Sequence, residues 1–190
     1  MPRAGLDSEA VVSAAAELSD VEGLEAVTLT RLAERLGIRA PSLYAHIGGL
    51  ADLRRQLGAR GARELAAALA EAAAGRSRLD ALSAIATTYR AYARDHPGTY
   101  AAMQRASEND GEAADAARDL VAIVVAAISG YPVAGEEAIH AVRIIRASLH
   151  GFVTLERERG FGMPLSLEET FTRLVGVLDR GLSGPALDRA

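Results

Sequence analysis

The side chains best suited to chemistry cluster between residues 28 and 60. Ser42, Tyr44 and His46 offer a hydroxyl, a phenol and an imidazole at alternate positions. Around them stand six arginines (Arg31, Arg35, Arg39, Arg54, Arg55, Arg60) against two acids, Glu34 and Asp52, a local net charge of +4. Residues 61–190 carry 14 arginines and 17 acids, net −3, and the whole chain is at −4. A stretch that is basic only locally, and rich in hydrogen-bond donors, suits phosphate oxygens and base edges. Covalent chemistry finds no support. There is no P-loop, G-x-G-x-x-G, H-E-x-x-H or G-x-S-x-G, and no cysteine. The four histidines, at 46, 96, 140 and 150, are scattered. No catalytic residue, metal site or cofactor is expected, and the paired charges of Glu156-Arg157-Glu158-Arg159 read as a solvated helix surface.

The elements that position these groups are helices. The composition is rich in Ala, Leu, Arg and Glu, and β-branched residues do not alternate regularly, so an all-α fold is expected. A first helix is predicted over 8–21, capped by Asp7 or Ser8, with Val11, Ala15 and Leu18 on one face and Gly23 at its end. A second starts after Thr28 and buries Leu32, Ala33 and Leu36. Gly37 turns the chain, and a third helix opens at Pro41, which has no N–H to leave unpaired in a first turn. Leu43 and Ile47 face inward from it. Leu32, Ala33, Leu36, Ile38, Leu43 and Ile47 then form one small core, leaving Ala40, Pro41, Ser42, Tyr44, Ala45 and His46 toward the outside. That is a helix-turn-helix, whose second helix fits a DNA major groove. Longer helices are predicted at 50–74, 77–94, 98–107, 112–129, 135–158 and 166–182. Glycine, proline and Asn109-Asp110 mark the breaks. The expected division is a DNA-binding head, 1–49, and an antiparallel helical bundle, 50–190, for effector binding and dimerisation. The apolar run Leu120–Ser129 is too short to span a bilayer, and no signal peptide opens the chain, so a cytoplasmic location away from membranes is expected.

The stretch from Asp7 to Leu57 resembles the TetR family of transcriptional regulators. Its most specific part is Leu32-Ala33…Leu36-Gly37-Ile38…Pro41-Ser42-Leu43-Tyr44…His46-Ile47. The resemblance implies a three-helix head whose third helix reads the groove, with Thr28, Arg39, Ala40, Pro41, Ser42, Tyr44, His46 and Arg54 as the DNA-facing set. Tyr44 either carries its hydroxyl to a phosphate or only packs its ring; His46 packs or meets a phosphate. Many members have a lysine at the start of the fourth helix, where this chain has Leu50. Arg54 or Arg55 is the candidate replacement for that phosphate contact.

A head of this kind reads few base pairs, so a homodimer on a palindromic DNA operator is expected. Apolar stripes on the last two long helices are the candidate interface: Ile139, Val142, Ile145, Leu149 and Phe152 on one, Phe171, Leu174, Val175, Leu178 and Leu182 on the other. The same stripes, read without a partner, are the subunit's own core. The resemblance also implies a small, hydrophobic effector, with Tyr89, Tyr92, His96, Tyr100, Met103, Val121, Val125, Arg146 and His150 as the candidate pocket. Leu149-His150-Gly151 stands where a C-terminal subtype of the family has Trp-His-Gly. Repression is the expected outcome. An activator on the same fold, and a helical protein-interaction module without specific DNA binding, are the competing readings.

Overall fold

The structure is a computed structural model that describes residues 6–105 and 111–184. Those residues contain nine α-helices and a short 3-10 turn: α1 (Ser8–Glu22), the turn Leu24–Ala26, α2 (Leu29–Leu36), α3 (Ala40–Leu43), α4 (Leu50–Ala73), α5 (Arg78–Asp95), α6 (Pro97–Arg105), α7 (Gly111–Ala127), α8 (Glu136–Arg157) and α9 (Leu167–Ser183). The all-helical expectation holds, with most boundaries within two residues of those predicted. The expected end of the sixth helix at 106–107 and the Asn109-Asp110 break lie outside the described residues. The 3-10 turn is additional to the expected elements: three residues are too few to show a hydrophobic period, although the turn buries Leu24.

The chain folds as two compact units. One comprises residues up to Glu64 together with Asp95–Ala117, the other Leu65–Arg94 together with Arg118 onward. The first unit is therefore larger than the expected head of 1–49. It takes in the start of α4 and all of α6.

Helix caps fix the first unit's elements. Asp7 accepts the Ala10 N–H at 2.8 Å to start α1, and Thr28 accepts that of Arg31 at 3.2 Å to start α2. Val11, Ala15 and Leu18 of α1 sink into a core with Val27, Leu32, Ala33, Leu43, Ile47 and Leu53, on which Leu36, Ile38 and Leu50 also pack. The N-terminus of α6 is capped from far away in sequence. Pro97 supplies no N–H, and the next two donors, on Gly98 and Thr99, both bond to Asp20 Oδ1 of α1, at 2.9 and 2.8 Å. Asp20 Oδ2 lies 3.3 Å from the Thr99 hydroxyl and 3.1 Å from His96 Nδ1. This carboxylate replaces the local side chain that usually satisfies a helix start. The approach needs a glycine: a Cβ on Gly98 would lie 2.0 Å from the Ser19 carbonyl oxygen.

In the second unit, Leu65, Leu69, Leu82, Ile85, Ile128 and Leu149 are fully buried. Arg90 of α5 ties α8 and α9 together. Its Nε and Nη2 donate to Glu156 at 2.9 and 2.6 Å, and its Nη1 donates to Glu168 at 2.7 Å. The same guanidinium lies 5.3 Å from the Phe152 ring centre and 4.7 Å from that of Phe171, so it is stacked as well as paired. Tyr131 donates to Asp179 at 2.6 Å, while Arg78 lies over its ring.

The Gly98 contact gives a direct test. Gly98→Ala forces α1 and α6 apart and is expected to cost about 2–3 kcal/mol, as overpacked sites do. Urea unfolding should show it as a lowered midpoint with an unchanged slope.

Candidate nucleic-acid interface

The turn between α2 and α3 is set by backbone geometry. Gly37 takes the left-handed conformation (φ 67°), which an L side chain rarely adopts. Its N–H bonds to the Glu34 carbonyl, and that of Ile38 to the Ala33 carbonyl at 3.0 Å. This paired closure satisfies the last carbonyls of α2 and sends the chain into α3. Pro41 lies in the first turn of α3, as its missing N–H predicts. Regular helix stops at Leu43, earlier than expected. The Tyr44 N–H reaches back to Pro41 and that of His46 to Leu43, both tighter three-residue bonds, before Ile47 returns to the core. The short helix is pinned by Leu43, which has no exposed surface.

This arrangement leaves Thr28, Arg39, Pro41, Ser42 and Tyr44 exposed, with Ala40 and His46 half-buried. Tyr44 is 63% exposed, so its ring is not a core element. The result is a short helix with exposed donors on its outer side.

The basic charge of this region is largely matched within the unit. Arg31 pairs with Glu22 at 2.5 Å, Arg35 with Glu17 at 2.7 Å, Arg54 with Glu25 at 3.4 Å and Arg60 with Glu64 at 2.7 Å, while Arg55 pairs with Asp52. Among the described residues Arg39 is the arginine of the 28–60 stretch with no ion pair. The two candidates for the contact missing at Leu50 are thus both engaged. Arg54 points to Glu25, which Arg105 also holds; the Arg105 hydrogen bond and charge keep that carboxyl's pKa below the ordinary range. Leu50 itself packs against the head's core. Asp52 anchors the start of α4. It accepts the Gly48 N–H at 2.8 Å and the Gln56 amide at 2.8 Å, and the Gly48 bond foremost holds its pKa below the ordinary value.

The other expected sites are placed differently. Tyr89, Tyr92, Val121, Val125, Arg146 and His150 belong to the second unit, whereas His96, Tyr100 and Met103 belong to the first. His96, expected as a polar handle for an effector, instead meets the Asp20 carboxylate at the start of α6. Tyr89, Tyr92 and Tyr100 are buried, and Val121 and Val125 half-buried. Arg146 is exposed, and burial, helped by Arg146 and Arg157, holds the His150 pKa down. An open groove of about 570 Å³ in the first unit is lined by Ser8, Glu9, Val12, Gln56, Arg60, Arg63, Glu64 and Glu112. It is a charged surface and contains none of the expected effector contacts. Among the described residues no cluster of three or more His, Cys, Asp or Glu is placed to hold a metal ion, and no helix is long and apolar enough to cross a membrane.

The expected dimer stripe lies mostly inside this chain. Val142, Ile145, Leu149, Phe152, Phe171, Val175, Leu178 and Leu182 are all buried within this chain's own second unit, and Leu174 is half-buried. Only Ile139, at 39% exposure, lies outward. A three- and four-residue period identifies an apolar face but not the body it packs on. The large apolar side chains that α8 and α9 present outward are Ile139, Ile144, Leu155 and Val177.

Comparison with known proteins adds to this geometry. Residues 82–178 match the tetracyclin repressor-like C-terminal domain. The chain is 38% identical over 181 residues to an uncharacterised HTH-type transcriptional regulator of Mycobacterium tuberculosis, covering 94% of this chain and 83% of that one. Among solved structures, a protein of unknown function from Rhodococcus sp. RHA1 superimposes with a TM-score of 0.80 at 22% identity, covering 97% of this chain and all of that one. A TetR Q116A variant of Acinetobacter baumannii, solved in complex with minocycline, gives 0.65 at 22% identity, covering 93% of this chain and 96% of that one.

The Asp52 anchor predicts a pH dependence. A carboxyl whose pKa is lowered on folding stabilises the fold above its unfolded value, and that stabilisation is lost as pH falls through the folded value. Asp52→Asn should therefore cost about 1 kcal/mol at pH 7. In urea unfolding the gap to wild type should persist at pH 5 and close as the pH drops well below the ordinary aspartate value of 3.8.

Proposed function

The chain belongs to the TetR family of transcriptional regulators, and from that premise we propose that it is a repressor that binds a palindromic operator as a homodimer and is released by a small-molecule effector. The observation that carries the DNA-binding part is the outer side of α3. Ser42 and Tyr44 stand exposed, as does Arg39, the cation of this stretch without an ion pair among the described residues, and as does Thr28, the cap of α2. Arg39 and Ser42 are then the candidates for base edges or phosphate. Tyr44 carries its hydroxyl toward the backbone, and the start of α2 offers N–H groups to a phosphate. The head of residues 1–49 is the DNA-binding part in this reading, with residues 50–190 serving the effector and the partner.

Dimerisation is assigned to the outward side of α8 and α9. Ile144 and Leu155 on α8 are 57% and 44% exposed, and Val177 on α9 is 56% exposed. Ser148 and Gly151 lie between Ile144 and Leu155 at helical spacing, which allows a second copy to approach closely. Four helices, two from each copy, would then bury these apolar groups. The effector is proposed to be apolar, met by Tyr89, Tyr92, Val121 and Val125, with His150 kept neutral by its surroundings. Support for ligand response comes from the shared fold, since the Acinetobacter relative was solved with minocycline. The likeness to the Trp-His-Gly subtype rests on residues 147–162, with Leu149-His150-Gly151 at the motif itself, and on residues 168–171; Leu149, which stands in place of the tryptophan, is buried.

Fluorescence anisotropy against the DNA upstream of its own coding sequence, with scrambled DNA as control, tests the reading. Wild type should prefer the upstream DNA and lose affinity steeply with salt. Arg39→Ala and Tyr44→Ala should each weaken binding about tenfold, the size of one lost contact of this kind. Their thermal stability should stay within roughly 0.5 kcal/mol of wild type, because both side chains are on the surface. Unchanged binding in both variants would remove α3 from the interface.

A further inference from the structure

Arg31 and Arg35 lie one turn apart on α2, and both of their partners come from α1: Glu22 at 2.5 Å and Glu17 at 2.7 Å. All four side chains are well exposed, 52% and 38% for the first pair and 43% and 63% for the second. Ion pairs so open to water are weak, and a phosphate that reaches either guanidinium competes with its carboxylate on nearly equal terms. Arg31 is also in the first turn of α2, beside the Thr28 cap, at the helix end best suited to an anion. Contacts to phosphate carry affinity for any DNA, whereas contacts to base edges carry sequence. A head with all its arginines released would bind every duplex tightly. A head whose arginines are held at home relies on α3 to choose.

We propose that Glu17 and Glu22 set the specificity of this head by holding Arg31 and Arg35 on α1, away from the phosphates of non-operator DNA. The proposal rests on the DNA-binding reading above and adds the residues that limit sequence-independent attraction. The two carboxylates act without touching DNA. Their effect is on the ratio of operator to random-sequence binding, the quantity that matters among many competing sites. With Arg54, Arg55 and Arg60 paired to Glu25, Asp52 and Glu64, these two pairs leave Arg39, at the edge of α3, as the arginine of the stretch without an ion pair among the described residues.

The test uses the full chain and a random-sequence duplex of about 30 base pairs, titrated between roughly 50 and 200 mM salt, the range in which phosphate contacts are read. E22Q is expected to bind this duplex about three- to fivefold more tightly than wild type, as suits release of one exposed pair. E17Q/E22Q should reach about tenfold, with the slope of log K against log salt steeper by roughly 0.9 for each arginine transferred to phosphate. E34Q removes the same charge from α2 without breaking either pair, and should change binding less than about twofold, the screened effect of charge alone. Adding R31A and R35A to E17Q/E22Q should abolish the gain. An E34Q gain equal to that of E22Q, or an unchanged salt slope in E17Q/E22Q, overturns the proposal while leaving DNA binding intact. No binding by wild type or any variant at low salt defeats the DNA-binding reading itself, and the proposal with it.

Discussion

A helical segment as short as Ala40–Leu43 has no stability of its own, because helix nucleation costs more than one turn returns. It exists here because Leu43 is sunk completely into the core built by α1, α2 and the start of α4. The display of Arg39, Ser42 and Tyr44 depends on that single burial. Gly37 sets the direction in which the chain arrives, and Ile47 returns it to the core once the short helix has ended. Loss of either anchor would leave the side chains present but their geometry undefined.

The first unit extends this constraint beyond the helix-turn-helix. α1 packs its apolar face on α2 and α3, and its far end holds α6 through Asp20 and the close passage of Gly98 over Ser19. Its exposed edge carries Glu17 and Glu22 to the arginines of α2. One helix thus supplies the core behind α3, the cap of α6 and the charge balance of the surface. The second unit is organised around Arg90, whose paired and stacked guanidinium joins α5, α8 and α9.

Much of this was legible from residue types. Asp7, Thr28, Gly37 and Pro41 announce helix boundaries by local physics, and each acts as its type predicts. The core of the head was readable because Leu32, Ala33, Leu43 and Ile47 repeat at helical spacing. What spacing conveys stops at the element's own surface. It could not tell that Val142, Ile145 and Phe152 close their own chain's core while Ile144 and Leu155 face outward. Nor could it place Asp20 against His96 and Thr99, a contact between residues far apart in sequence. The local excess of arginine was also only half the account, because its carboxylate partners Glu17, Glu22 and Glu25 lie before residue 28.

In the proposed function, α3, presented by this core, reads DNA as part of a symmetric pair. Selection of the purified chain against a pool of random duplexes tests it most directly, followed by sequencing and measurement of the number of chains bound per site. The account predicts enrichment of an inverted repeat whose half-sites lie about 34–36 Å apart, or a multiple of that, with chains bound in twos. A pool that stays random after repeated rounds, or a lone half-site bound by one chain, would contradict it.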